Sequence, residues 1–137
     1  MKLILALALP LILLCCGGCN SSEGYKHITP TEAEKMMASD DVLVVDVRTK
    51  EEYDRKRVSG AVLVPIDDIR AGKVDPLTDK DRTLLLYCWT GRRAEDSAAM
   101  LVKMGFKRVY DFGGLVEWTG PVEGDEVEPQ YFPEDIK

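Results

Sequence analysis

The reading of Thr83-Leu84-Leu85-Leu86-Tyr87-Cys88-Trp89-Thr90-Gly91-Arg92-Arg93-Ala94 decides the fold of this 137-residue chain. Thr83 to Tyr87 is a short apolar run of the kind that buried parallel strands show. From Ala94 onward the apolar residues recur at Ala94, Ala98, Leu101 and Val102, one face of a helix, and Gly105 supplies its C-terminal stop. The stretch therefore reads as strand, tight loop, helix. It predicts Cys88 at the carboxyl end of a strand, facing the amino end of the next helix, where unpaired N–H groups and the helix dipole favour negative charge. A cysteine in that position is placed to work as a thiolate.

Arg92 and Arg93 add positive charge at the same point. As helix design they are misplaced, because cations at an N-terminus oppose the dipole, and Glu95 and Asp96 read as their compensation. A local rule broken beside a cysteine points to function. The competing account is a buried structural cysteine with two solvated arginines beside it.

Outward from this stretch, Asp41 to Val47 is the most strand-like run, with Val42, Leu43, Val44, Val45 and Val47 around a single carboxylate, Asp46. A carboxylate near the end of such a strand needs a partner, and Arg48 or a loop amide would provide one. Ligand sites of open parallel sheets lie outside the carboxyl ends of the strands, so Asp46 and Cys88 are expected on one rim. Tyr25 to Ile28 reads as a short edge strand, and Thr29-Pro30-Thr31-Glu32 as the start of a helix running to about Ala38. Thr49 to Arg57 reads as a short charged helix, Ala61 to Val64 as a strand and Ile66 to Ala71 as a helical turn or two. Phe106 to Asp111 is expected as the last strand, with Gly113-Gly114 as the turn after it. Strands alternating with helices predict an α/β fold, an open and mostly parallel sheet of about five strands with helices on both faces.

Cys88-Trp89-Thr90-Gly91-Arg92-Arg93 resembles the Cys-x-x-Gly-x-Arg loop of the rhodanese-like sulfurtransferases. Val44-Val45-Asp46-Val47-Arg48 with Glu51-Glu52-Tyr53, then Ser59-Gly60-Ala61 with Leu63-Val64-Pro65, then Gly113-Gly114 with Trp118, resemble further landmarks of that family in the family's order. The resemblance implies a single rhodanese-like domain over residues 25–121, with Cys88 carrying a transferable sulfur as a persulfide. It implies a loop of Trp89, Thr90, Gly91, Arg92 and Arg93 that cradles the outer sulfur, and a supporting role for Asp46 and Arg48. The family often has Gly-His-Ile-Pro before its Gly-Ala, where this chain has Lys56-Arg57-Val58-Ser59. His27, the only histidine, is far from Cys88 in sequence and reads as structural rather than as a base.

Met1 and Lys2 precede an apolar stretch from Leu3 to Leu14 and then Cys15-Cys16-Gly17-Gly18-Cys19, the pattern of an export signal. Twelve residues are too few to span a bilayer comfortably. Gly17-Gly18 before Cys19 resembles the cleavage box of bacterial lipoproteins, although Cys16 stands where an aliphatic residue is usual. Residues 1–18 are thus expected as the signal, 19–24 as a lipidated Cys19 with a short linker, and the bacterial cell envelope as the location, on the periplasmic side of a Gram-negative cell. An ordinary cleaved signal and an uncleaved anchor are the alternatives. Cys16-x-x-Cys19 formally matches a redox or metal motif but lies inside the export segment, so no metal and no cofactor are expected. Cys88 would remain as the lone free thiol.

At 45% apolar and 31% charged residues the chain suits one domain with one sizeable core. Its net charge of −6 argues against a nucleic-acid partner. Residues 122–137 mix acids with Pro129 and Pro133 and read as an irregular acidic tail. The expected partners are a small anionic sulfur donor, thiosulfate or a polysulfide, a thiol or cyanide acceptor, and the membrane through the lipid; a monomer is expected. Three other readings compete: a cysteine phosphatase or arsenate reductase, a membrane-tethered redox thiol protein, and a non-catalytic rhodanese-like binding module. The related phosphatase loop has five residues between cysteine and arginine, whereas Cys88 and Arg93 enclose Trp89, Thr90, Gly91 and Arg92. An intact Cys88 loop argues against the binding module.

Overall fold

The computed structural model describes residues 24–126. The elements in chain order are β1 (Lys26–His27), α1 (Pro30–Ser39), β2 (Val42–Asp46), α2 (Lys50–Arg55), β3 (Arg57–Val58), β4 (Val62–Leu63), α3 (Ile66–Arg70), β5 (Thr83–Cys88), α4 (Arg92–Lys103), β6 (Arg108–Gly114), a 3-10 turn (Leu115–Glu117) and β7 (Val122–Glu123). Five strands form one sheet in the order β1-β6-β5-β2-β4, and every pairing in it is parallel. The expected α/β architecture is what the chain adopts.

The continuous apolar run of β5 follows from its central place. Alternate side chains enter opposite cores: Leu84, Leu86 and Cys88 pack with Val45, Ile69, Ala94, Ala98 and Leu101, while Leu85 and Tyr87 pack with Ala33, Val44, Val58 and Phe112. Helices α3 and α4 cover the first face and α1 and α2 the second, so neither face of the strand meets water. Each buried Leu contributes about 1.5–3 kcal/mol, enough to fix the register.

Two helices start on capping boxes. Thr29 caps α1 with Glu32 reaching back to the Thr29 N–H, and Thr49 caps α2 with Glu52 doing the same. Helix α2 ends earlier than expected, at Arg55, because the chain then turns into β3. That strand pairs antiparallel with β7, Arg57 opposite Glu123 and Val58 opposite Val122. The expected irregular tail thus begins with an ordered strand, held further by the N–H groups of Asp125 and Glu126 donating to the carbonyls of Asp54 and Arg55. Residues 127–137 lie outside the described residues. A second correction concerns Gly113-Gly114, which belongs to β6 and is not a turn after it.

Ser97 on α4 is wholly buried and its hydroxyl has no hydrogen-bond partner among the described residues. Ser97→Ala removes a desolvated hydroxyl and adds helix propensity, so it should raise the unfolding free energy by about 1 kcal/mol. Urea melts of the two proteins would check this.

Candidate active site

The chain runs from β2 outward to β4, then crosses back over β2 to β5 and on to β6. The loops that leave β2 and β5 therefore diverge, and the crevice between their carboxyl ends is where such sheets bind ligands. Cys88 ends β5 on one side of this switch point; Asp46 ends β2 on the other. The expectation of a shared rim holds.

Cys88 is only 1% exposed. The Gly91 N–H donates to its Sγ at 3.0 Å, so the loop Trp89-Thr90-Gly91 curls around the sulfur. Gly91 makes the curl with φ of +107°, and a Cβ on it would press to 3.2 Å of Gly113 Cα. Gly114 is needed for the same closeness: a Cβ there would collide with the Trp89 carbonyl and stand 2.7 Å from Thr90 Cα. The loop thus rests on the end of β6, and the Val116 N–H donating to the Trp89 carbonyl at 3.2 Å holds it there. The register of β5 on β6 shifts between Leu86 and Cys88, which aligns Cys88 with Gly114. Such irregularities re-aim a side chain next to active sites.

Trp89 is 47% exposed, and Thr90 and Arg92 also face solvent. Arg93 turns inward and is half-buried. Its two terminal nitrogens donate to the two carboxylate oxygens of Glu52, each at 2.8 Å. Glu52 holds the Arg93 guanidinium above its ordinary pKa, against the opposing effect of burial, and a Cys88 thiolate adds in the same direction. Among the described residues Arg92 has no acid within ion-pair distance. The two arginines are therefore not equivalent. Arg93 is fixed in a planar fork, and Arg92 is the cation presented to solvent.

Glu52 was missed as a site residue by sequence reasoning, although its T-x-x-E spacing from Thr49 was legible. It serves two partners at once, accepting from the Thr49 N–H at 3.0 Å and from Arg93. Hydrogen bonding to Arg93 lowers its pKa from 4.5 to about 2, against the opposing effect of burial. A depressed carboxylate pKa stabilises the fold above the unfolded-state value of 4.5, and that contribution is lost as pH falls through about 2. With both side chains about one-third exposed, screening leaves about 1–2 kcal/mol. Glu52→Gln should remove this contribution at neutral pH and flatten the decline of stability between pH 5 and pH 2, as thermal melts across that range would show.

Asp46 and Arg48 are 0% and 2% exposed and form a buried pair. Arg48 donates from Nε to Asp46 Oδ1 at 2.9 Å and from Nη2 to Oδ2 at 2.7 Å, and Nη2 also donates to the Lys56 carbonyl at 2.6 Å. The Tyr87 hydroxyl donates to Asp46 Oδ2 at 2.5 Å and accepts from the Val58 N–H at 3.0 Å. Burial first, then the Asp46 charge, push the Tyr87 phenol far above its usual pKa, so it stays a donor. This network spends Asp46 on structure: it ties the end of β2 to β5 and to the approach to β3. Tyr87 is a further residue that sequence reasoning left out, because its partner lies 41 positions away.

Beside the loop lies a pocket of about 220 Å³, lined by Val47, Arg48, Thr49, Pro65, Ile66, Asp67, Arg70 and Arg93. It occupies the switch-point crevice. Arg48, Arg70 and Arg93 line it, each already paired with an acid: Asp46, Asp67 and Glu52.

Fold and loop together define a domain of the rhodanese type. Residues 29–121 match the Rhodanese-like domain family, and the chain belongs to it. It is 30% identical over 95 residues to a thiosulfate sulfurtransferase of Coxiella burnetii, a match that covers 69% of this chain and 87% of that protein. A candidate sulfur carrier protein of Bacillus subtilis is 31% identical over 112 residues, 78% of this chain and 60% of that protein. A tRNA uridine(34) hydroxylase of Cytophaga hutchinsonii is 33% identical over 107 residues, 75% of this chain but 34% of that protein. The chain thus spans only part of the last two. Among solved structures, an E. coli rhodanese determined with anions superposes with a TM-score of 0.55 at 29% identity, covering 60% of this chain and 96% of that one. The rhodanese-like domain of an Anabaena protein gives a TM-score of 0.66 at 23% identity, covering 77% and 86%, and supports the fold alone.

Proposed function

We propose that this domain is a sulfurtransferase that moves sulfane sulfur from a small anionic donor, thiosulfate or a persulfide, to a thiol or cyanide through a persulfide on Cys88. The Gly91 N–H aimed at Cys88 Sγ at 3.0 Å carries this reading. The Cys88 thiolate attacks the outer sulfur of thiosulfate, the donor's S–S bond breaks, and sulfite leaves with the electron pair. A Cys88–S–S⁻ group remains. A thiolate or cyanide then attacks that outer sulfur, the persulfide S–S bond breaks with its electron pair going to Cys88 Sγ, and the thiolate is restored.

The residues divide this work. Backbone amides from Trp89 to Arg93 stabilise the negative outer sulfur, Arg92 attracts the donor, and Arg93, fixed by Glu52, shapes the loop wall. Burial of Cys88 shields the persulfide from bulk reductants. The names of the Coxiella and Bacillus relatives and the anions of the E. coli structure support the reading. Intact mass before and after thiosulfate tests it: one sulfur gained on Cys88 and removed by cyanide is expected. No gain with thiosulfate or with a persulfide donor would overturn it in favour of a redox thiol or a binding module.

The reading extends to the N-terminal residues, which lie outside the described residues. We infer that residues 1–18 are an export signal and that Cys19 is acylated, holding the domain at the bacterial cell envelope. Among the described residues no helix is long and apolar enough to cross a membrane; in this reading the lipid on Cys19 does the tethering. Cys19→Ala should abolish incorporation of labelled fatty acid and release the protein from the membrane fraction.

A further inference from the structure

The edge pair of the sheet holds a group of side chains that the sulfur chemistry does not use. Register sets His27 of β1 opposite Asp111 of β6. His27 Nδ1 lies 3.0 Å from both carboxylate oxygens of Asp111. Glu95, in the first turn of α4, brings a second carboxylate, and one donor atom from each of the three residues lies within 4.8 Å of the others.

The charges do not balance in the manner of a structural ion pair. Asp111 is wholly buried, yet among the described residues its ion-pair partner is a histidine whose side chain is 63% exposed, not an arginine or lysine. A buried carboxylate without a strong counter-charge is costly. The neighbourhood is negative as well: the Tyr25 phenol is pushed up by burial and then by Glu95, Asp111 and Asp96. Asp46 in the same sheet has a full guanidinium fork; Asp111 does not.

We propose that His27, Glu95 and Asp111 bind a divalent transition-metal ion of the zinc class. One imidazole nitrogen and two carboxylate oxygens form a donor set that suits such an ion, with a solvent molecule as the fourth ligand. His27 and Asp111 are already at ligand-to-ligand spacing, and exposed Glu95 closes the set by a side-chain rotation. The Gly113 N–H donates to Asp111 Oδ1 at 3.2 Å, the outer hydrogen bond that orients a ligating carboxylate. The ion takes the place of the direct contact between His27 Nδ1 and the Asp111 carboxylate. Gly113 also carries Gly91 against it, so an occupied site braces the platform under the Cys88 loop.

The test uses the full chain in detergent micelles with Cys15, Cys16, Cys19 and Cys88 replaced by serine, which removes thiolate ligands. Equilibrium dialysis against zinc near neutral pH should give one ion per chain. His27→Gln and Glu95→Gln should each weaken binding by about tenfold or more and abolish the zinc-dependent rise in melting temperature. Asp96→Asn, in the same acidic patch, should change neither. An absence of zinc binding at about 100 μM free ion, or equal binding by the parent, His27→Gln and Glu95→Gln proteins, would overturn the proposal. Asp111 variants are unsuited to the test because its buried carboxylate also holds Gly113.

Discussion

Cys88→Ser should reduce sulfur transfer to the uncatalysed background while the protein stays folded. Serine keeps the shape of the side chain and can still accept from the Gly91 N–H, which now lies 3.0 Å from the sulfur. It loses the polarisable nucleophile, because a serine hydroxyl is not ionised near neutral pH and, among the described residues, no side-chain base is hydrogen-bonded to residue 88. His27 cannot serve, since it lies on β1 at the sheet edge, bonded to Asp111. The variant should lose about 1–3 kcal/mol of stability, the cost of burying a hydroxyl, and remain folded. Measured thiocyanate formation from thiosulfate and cyanide decides the matter. Turnover retained at more than a trace would place the reacting sulfur elsewhere.

The largest effect on stability is expected from Asp46→Asn. The carboxylate sits at 0% exposure and Arg48 at 2%. Removing the negative charge leaves a buried guanidinium uncompensated, a change that costs about 3–5 kcal/mol. The Tyr87 hydroxyl loses its charged acceptor at 2.5 Å in the same step. Against a total stability of about 5–15 kcal/mol, this should lower the melting temperature by roughly 10–20 °C. A second substitution, Arg48→Met, should recover part of the loss by removing the stranded charge. If Asp46→Asn melts within about 1 kcal/mol of the parent, the pair contributes no more than an exposed one, and the network does not hold the rim.

What the sequence reveals and what it hides divide along physical lines. The strand Thr83–Cys88 was legible because both its faces are buried, which makes the run from Leu84 to Cys88 apolar. The placing of Cys88 followed, since a strand that ends against a helix start leaves little choice. Pairings across long separations were not legible. Nothing near Arg93 announces that its charge is taken by Glu52, 41 positions earlier, and nothing near His27 announces Asp111, 84 positions later. The glycines at 113 and 114 misled for a related reason. Glycine signals a turn by default, but here Gly113 serves a φ of +86°, the Trp89-Thr90 backbone comes so close to Gly114 that no side chain fits, and the strand continues through both. Val122 and Glu123 fail as a pattern because two residues carry no periodicity; only their partners Arg57 and Val58 make them a strand.

The way the Cys88 loop rests on β6 separates two properties that enzymes often have to trade. Trp89 and Thr90 meet β6 through main-chain atoms, the carbonyl of Trp89 and the Cα of Thr90, while both residues point their side chains at solvent. Reactivity is therefore written in the backbone and in two flat glycines, and selectivity in side chains that bear no weight. Residues 89, 90 and 92 can be exchanged to suit a new donor or acceptor without disturbing the sulfur, which makes this rim a natural place for descendants of the fold, or for designers, to change what the domain works on.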